Sequence, residues 1–211
     1  MFWLDENYPL KGNCTDQSFQ NKANYGKERK EIKSLNITSL DLSDCVNLEE
    51  INIQYNNLEE LDVSNLDKLR KLDLFSGTLK RLILGNRKQH LSYLSCDHNQ
   101  LTCLDFNALE PRSLIYLSLT DNNFSEQDLA VFLKFTNLNW LLVGYYEYNG
   151  KSNNNQFYGS SKFWKGLRNL NKLRFLYLNN LRLSKEKHDL EKGSLPTGYL
   201  AGKKWSLSLL R

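Results

Sequence analysis

The chain has 211 residues, 40% of them apolar and 25% charged, which is the composition of a folded soluble protein and excludes a disordered one. Its formal charge of +4 is too mild to require nucleic acid or another polyanion as partner. No stretch approaches the length of a membrane span, and the opening MFWLDENYPL has neither the basic nor the apolar region of a secretory leader. A cytoplasmic location is therefore expected, with Cys14, Cys45, Cys96 and Cys103 as reduced thiols. The sequons at Asn13, Asn36 and Asn123 are then chance matches in an Asn-rich chain.

Residues 1–31 read as a flanking or capping segment that carries a polar insertion. A self-similar array follows over residues 32–183, opening with a degenerate copy, IKSLNITSLDL, at Ile32. The next stretch, LEEINIQYNNL, fits neither a helical apolar stripe nor a sustained strand alternation. Ile51 and Ile53 alternate with polar neighbours, and Tyr55-Asn56-Asn57 then breaks the pattern as a turn. So short an element cannot bury its apolar face alone. The template LxxLxLxxNxL recurs at Leu48, Leu69, Leu91, Leu114, Leu138 and Leu173, with spacings of 21, 22, 23, 24 and 35 residues. A fixed period of this length marks a stacked solenoid. The fold expected is a leucine-rich-repeat horseshoe of the α/β class, with a parallel sheet on the concave face and short extended, turn or helical segments on the convex face.

Each repeated position has a physical role. The Leu, Ile, Val and Cys side chains of LxxLxL point into the coil, where each fully buried one stabilises it by about 1.5–3 kcal/mol. Asn56, Asn99 and Asn122 are expected to turn their amides inward and satisfy backbone groups leaving the strand. Gly77, Tyr146 and Leu181 occupy that place in the other copies, where irregular turns are expected. The convex runs LEELDV, LKRLIL and LTCLDF suit extended or tight backbone. SEQDLAVFLKF predicts a helical segment, with Ser125 and Asp128 in capping-box spacing. NGKSNNNQFYGS predicts a loop protruding from one edge. Residues 184–211 read as a basic tail: from Arg182 onward, seven basic residues face three acidic ones. That tail could close the last coil or leave it open to self-association, since repeat arrays need capped ends.

Several segments carry a more specific resemblance. WLDENYP at 3–9, RKEIKSLNI at 29–37, SLDLSDCVNLEE at 39–50 and FYGSSKFWKGLRNLNKLRFLYLNN at 157–180 are similar to the large intracellular leucine-rich-repeat family of arbuscular mycorrhizal fungi. The similarity departs at residues 10–28 and after residue 183. Modules of that family occur alone or beside a protein-kinase-like domain. The resemblance implies an interaction module of unknown partner and brings no catalytic residues.

Catalytic constellations are missing from the sequence. There is no GxGxxG or GxxxxGK[ST] phosphate cradle and no kinase signature, so neither an enzyme nor a cofactor is expected. Cys96, His98 and Cys103 lie close together, but the register sends Cys96 to the core, His98 to the turn and Cys103 to the convex side, which argues against a metal site.

What remains is the concave surface. Alternation along each strand gives three outward columns. The first is Glu50, Lys71, Tyr93, Tyr116, Trp140 and Phe175. The second is Asn52, Asp73, Ser95, Ser118, Leu142 and Tyr177, and the third is Gln54, Phe75, Asp97, Thr120, Gly144 and Asn179. Tyr93, Tyr116 and Trp140, extended by Phe175 and Tyr177 and joined by Phe75, are the candidate partner-binding residues. Tyr and Trp are enriched in binding hot spots. Two readings stay open: a protein or peptide partner covers these rings, or a terminal segment or the Asn-rich loop folds over them. The function expected is non-catalytic protein binding through the concave face; the alternative is a regulatory subunit or fragment of a kinase-like or ubiquitin-ligase system.

Overall fold

The structure is a computed structural model that describes residues 36–144, 155–178 and 181, together with the backbone of Lys11–Gly12, Arg29–Glu31 and Arg182–Leu183. It is a parallel-sheet solenoid of the leucine-rich-repeat type. Seven strands line the concave face, in chain order Arg29–Glu31, Glu50–Asn52, Lys71–Asp73, Tyr93–Ser95, Tyr116–Ser118, Trp140–Leu142 and Phe175–Tyr177. Every pairing is parallel and joins equivalent positions of successive coils, as in Ile51 to Leu72 to Leu94 to Leu117. The first strand lies upstream of the copy expected at Ile32. Ile37 instead stands one coil before Leu58, since the Asn57 amide donates to its carbonyl at 2.9 Å.

The middle residue of each concave strand from Glu50–Asn52 onward is buried. These residues stack into one core with the second apolar positions Ile53, Leu74, Cys96, Leu119 and Val143. Later coils are longer, and phenylalanines fill the added width. Phe106 and Phe132 meet edge to face at 5.1 Å, while Phe124 and Phe157 lie 5.2 Å apart.

A recurrent turn ends four of these strands. Tyr55, Ser76, His98 and Asp121 all have φ between 52° and 59°, each one residue before the repeat's Asn position. Non-glycine residues adopt this left-handed region at a cost, so the surrounding structure must impose it. The asparagines do so. The Asn99 amide donates to the carbonyls of Leu74, Cys96 and Asp97, and its oxygen accepts the Leu79 amide at 3.0 Å. Asn122 repeats the pattern one coil later with Cys96, Leu119, Thr120 and the Leu101 amide. Gly77 departs less than expected: its amide donates to the His98 carbonyl at 2.9 Å and the turn keeps its backbone form. A Cβ there would stand 2.7 Å from the Asn56 carbonyl oxygen and 2.9 Å from Asn99 Oδ1, so no asparagine fits between these two.

Two expectations about the later coils are corrected. The second half of NGKSNNNQFYGS is part of the solenoid, because Phe157–Gly159 pairs in parallel with Gln127–Asp128. Asn155, not Tyr146, takes the fifth coil's Asn place, donating to Leu119, Val143 and Gly144 carbonyls and accepting the Phe124 amide. Tyr146 and residues 145–154 lie outside the described residues. SEQDLAVFLKF is helical, but as a tight 3-10 helix, Leu129–Lys134, capped by Asp128, whose side chain accepts the Ala130 amide at 2.9 Å. Ser125 takes no part in that cap, because Asp128 is itself the residue that begins the helix. A short α-helix, Ser161–Gly166, follows on the convex side of the next coil, capped by Ser160.

The convex face also holds a buried lysine. Lys88 is 0% exposed, and its Nζ donates to the carbonyls of Ser64 and Leu66 at 2.9 and 3.2 Å. Burial lowers its pKa, partly offset by Asp67 and Asp62. Cys45 is disulfide-bonded, so the fully reduced set of cysteines expected from the sequence does not hold; Cys96 and Cys103 are free thiols.

Candidate functional site: the concave face

The register assembles the first outward column. Tyr93 faces Tyr116, Tyr116 faces Trp140 and Trp140 faces Phe175 across adjacent strands. Parallel strands lie about 4.8 Å apart, within reach of ring stacking. Tyr93 and Tyr116 are stacked at 4.3 Å and 10°. Tyr116 and Trp140 are tilted at 6.3 Å, and Trp140 stacks on Phe175 at 4.8 Å. The residues inserted before Asn155 leave the sheet intact, because the strand of Phe175 pairs directly with that of Trp140. Trp140 is 42% exposed, while Tyr93, Tyr116 and Phe175 are half-buried.

Tyr177 does not join this surface. It is only 5% exposed, because the second column forms the floor of the curve, where Asp73, Ser95 and Ser118 are buried as well. Phe75 stands across the floor from the column, edge to face with Tyr55 at 5.4 Å and with His98 at 5.2 Å. Lys71 ends the aromatic run, its Nζ 4.8 Å from the Tyr93 ring centre. Cys96 is buried and Cys103 exposed, as the register requires, and His98 pairs with Asp121 at 3.0 Å. Among the described residues, no group of three His, Cys, Asp or Glu side chains could hold a metal ion.

Between the tyrosines and Phe75 lies an open basin of about 440 Å³, floored by Asp73, Ser95, Asp97 and Ser118. Asp97 accepts hydrogen bonds from the Ser95 hydroxyl at 2.9 Å, the Ser118 hydroxyl and the Thr120 amide at 3.0 Å. Asp73 accepts from Gln54 Nε2 at 2.7 Å. Burial raises the Asp97 pKa, against the lowering effect of Ser118, Ser95, Thr120 and His98. Burial likewise raises the Tyr93 and Tyr116 hydroxyls, which stay neutral donors. Sequence reasoning placed Asp73 and Asp97 in outward columns but gave them no role. Two acids in otherwise neutral columns were the available signal.

Among the described residues no helix is long and apolar enough to cross a membrane. The basic tail, and with it any closing or self-association of the last coil, lies outside the described residues. No protein-family model matches the chain, and no curated protein matches it. Among solved structures it is similar to an internalin (inlF) from Listeria monocytogenes, with 16% identity and a TM-score of 0.42. The match covers 76% of this chain and 56% of the internalin, so the chain spans little more than half of that protein's length.

Proposed function

We propose that the chain is a non-catalytic interaction module that holds a protein or peptide partner against its concave face. The observation that carries this reading is the continuous run of ring contacts Tyr93, Tyr116, Trp140 and Phe175, which crosses four coils and is most exposed at Trp140. Rings fixed by their neighbours lose little entropy on binding, which makes them efficient anchors. Phe75 borders the same surface, while Tyr177 is buried. The similarity to the mycorrhizal fungal family fits this role and is part of the same proposal. The cytoplasmic location expected from the sequence rests on the opening residues and carries reduced cysteines with it, and the disulfide at Cys45 runs against it.

The test is capture of partners from the cells that express the protein. The parent is compared with Tyr93→Ala/Tyr116→Ala/Trp140→Ala and with a convex control, Lys80→Glu/Arg81→Glu, after circular dichroism shows all three folded. A partner kept by the parent and the convex control but lost by the triple variant supports the concave face. Equal capture by all three overturns it.

A further inference from the structure

The concave basin contains two charges that the protein leaves without a counter-ion. Asp73 and Asp97 are 5% and 6% exposed, and all their hydrogen-bond donors are neutral hydroxyl or amide groups. Among the described residues neither forms an ion pair. Buried carboxylates are ordinarily paired with a cation, because neutral donors recover only part of the lost hydration. Both acids open into the same basin, with Tyr93 and Tyr116 on one side and Phe75 on the other. The nearby basic side chains are held elsewhere. Lys71 is turned onto the Tyr93 ring, and His98 is engaged with Asp121 at the rim.

We propose that this basin receives an arginine side chain of the bound partner. Its guanidinium would meet Asp73 and Asp97 at the floor, and its methylene stem would lie along the aromatic walls. Arginine suits the geometry because its planar fork carries five donors and reaches two carboxylates in neighbouring columns, whereas an ammonium is a point charge. The aromatic walls exclude water and strengthen the attraction. The partner is thus a peptide segment presenting an arginine beside an apolar stretch that covers Trp140. This assignment rests on the concave-face reading above and names the chemistry its ligand brings.

The test is calorimetric titration of the full chain with acetyl-Gly-Arg-Gly-amide, and with the same tripeptide carrying citrulline, the neutral isostere, or lysine. The arginine peptide should bind at least about tenfold more tightly than the citrulline peptide, and more tightly than the lysine peptide. Asp97→Asn and Asp73→Asn should each reduce that preference to less than about threefold, with unchanged circular dichroism. If Asp97→Asn does not fold, Asp73→Asn and the parent's own preference decide. Equal binding of the three peptides, no binding of any, or a preference that survives in the folded variants overturns the assignment. Partner capture is read separately: a parent that captures a partner through its aromatic column yet shows no arginine preference loses only the basin.

Discussion

Asn155 Nδ2 donates to the carbonyl of Leu119 at 2.8 Å, as Asn122 Nδ2 donates to the carbonyl of Cys96 at 2.8 Å one coil earlier. The first bond spans 36 residues and the second 26, so the ladder of inward asparagines continues across the insertion. Asn155→Ala should therefore destabilise the protein about as much as Asn122→Ala. Each buried backbone group left without a partner costs about 1–3 kcal/mol. Urea midpoints measure both variants, and a loss below about 0.5 kcal/mol for Asn155→Ala, within the range of ordinary surface substitutions, would remove it from the ladder.

Lys88 acts as a buried cap on the carbonyls of Ser64 and Leu66. Lys88→Met keeps most of the volume but leaves those oxygens unsatisfied, and should cost about 1–3 kcal/mol. Lys88→Ala adds a cavity and should cost about 2–5 kcal/mol. Denaturant unfolding checks the order; an alanine variant as stable as the parent would show that the ammonium does not hold the turn.

The aromatic column should divide stability from binding. Trp140 is the exposed member, so Trp140→Ala should cost less than about 1 kcal/mol of stability. For a captured partner the same change should weaken affinity by about 2 kcal/mol, roughly 30-fold. Paired unfolding and binding curves test this, and a large stability loss with unchanged affinity would make the tryptophan structural.

Asp97 gives a signed pH dependence. Burial raises its pKa in the folded protein above the usual 3.8, so the folded state holds the proton more tightly than the unfolded chain. The associated stability is fully present below about 3.8 and is lost as pH rises through the folded value. Relative to Asp97→Asn, the parent should lose stability over that window and change little above it. Cys96, His98, Tyr93 and Tyr116 face the same carboxyl, and Asp73 lines the same basin. The comparison is therefore repeated in a His98→Gln background, which removes the one basic group among them. Parallel pH profiles for parent and Asp97→Asn would contradict the raised value.

The cysteines make a further prediction. Protein purified without reductant, denatured and alkylated, should be labelled at Cys96 and Cys103 and spared at Cys45. Peptide mass analysis reads each site. Labelling of Cys45 would restore the reduced state expected from the sequence.

The repeat register was legible because stacked coils require the same residue type at the same offset. Leu72, Leu94, Leu117 and Leu141 could be aligned from the sequence, and the partners Tyr93, Tyr116, Trp140 and Phe175 followed from them. Positions that depend on three-dimensional closure were not legible. Asn155 was hidden because an insertion shifts its offset without changing its hydrogen bonds. The first coil's register was not legible because its strand, Arg29–Glu31, carries Lys30 where later strands carry Ile51 and Leu72. Tyr177 looked exposed because strand alternation says which face a side chain takes but not how far the curve encloses it. Lys88 carried no signal in the sequence, because its carbonyl partners lie 22 and 24 residues earlier.

The most direct test of the concave-face reading is hydroxyl-radical footprinting of the protein, free and bound to its captured partner. Binding should reduce oxidation of Tyr116 and Trp140 several-fold, while convex Tyr158, 37% exposed when free, should react as before. Protection confined to Tyr158 and Trp164, with Tyr116 and Trp140 unchanged, would place the partner on the convex side and contradict that reading.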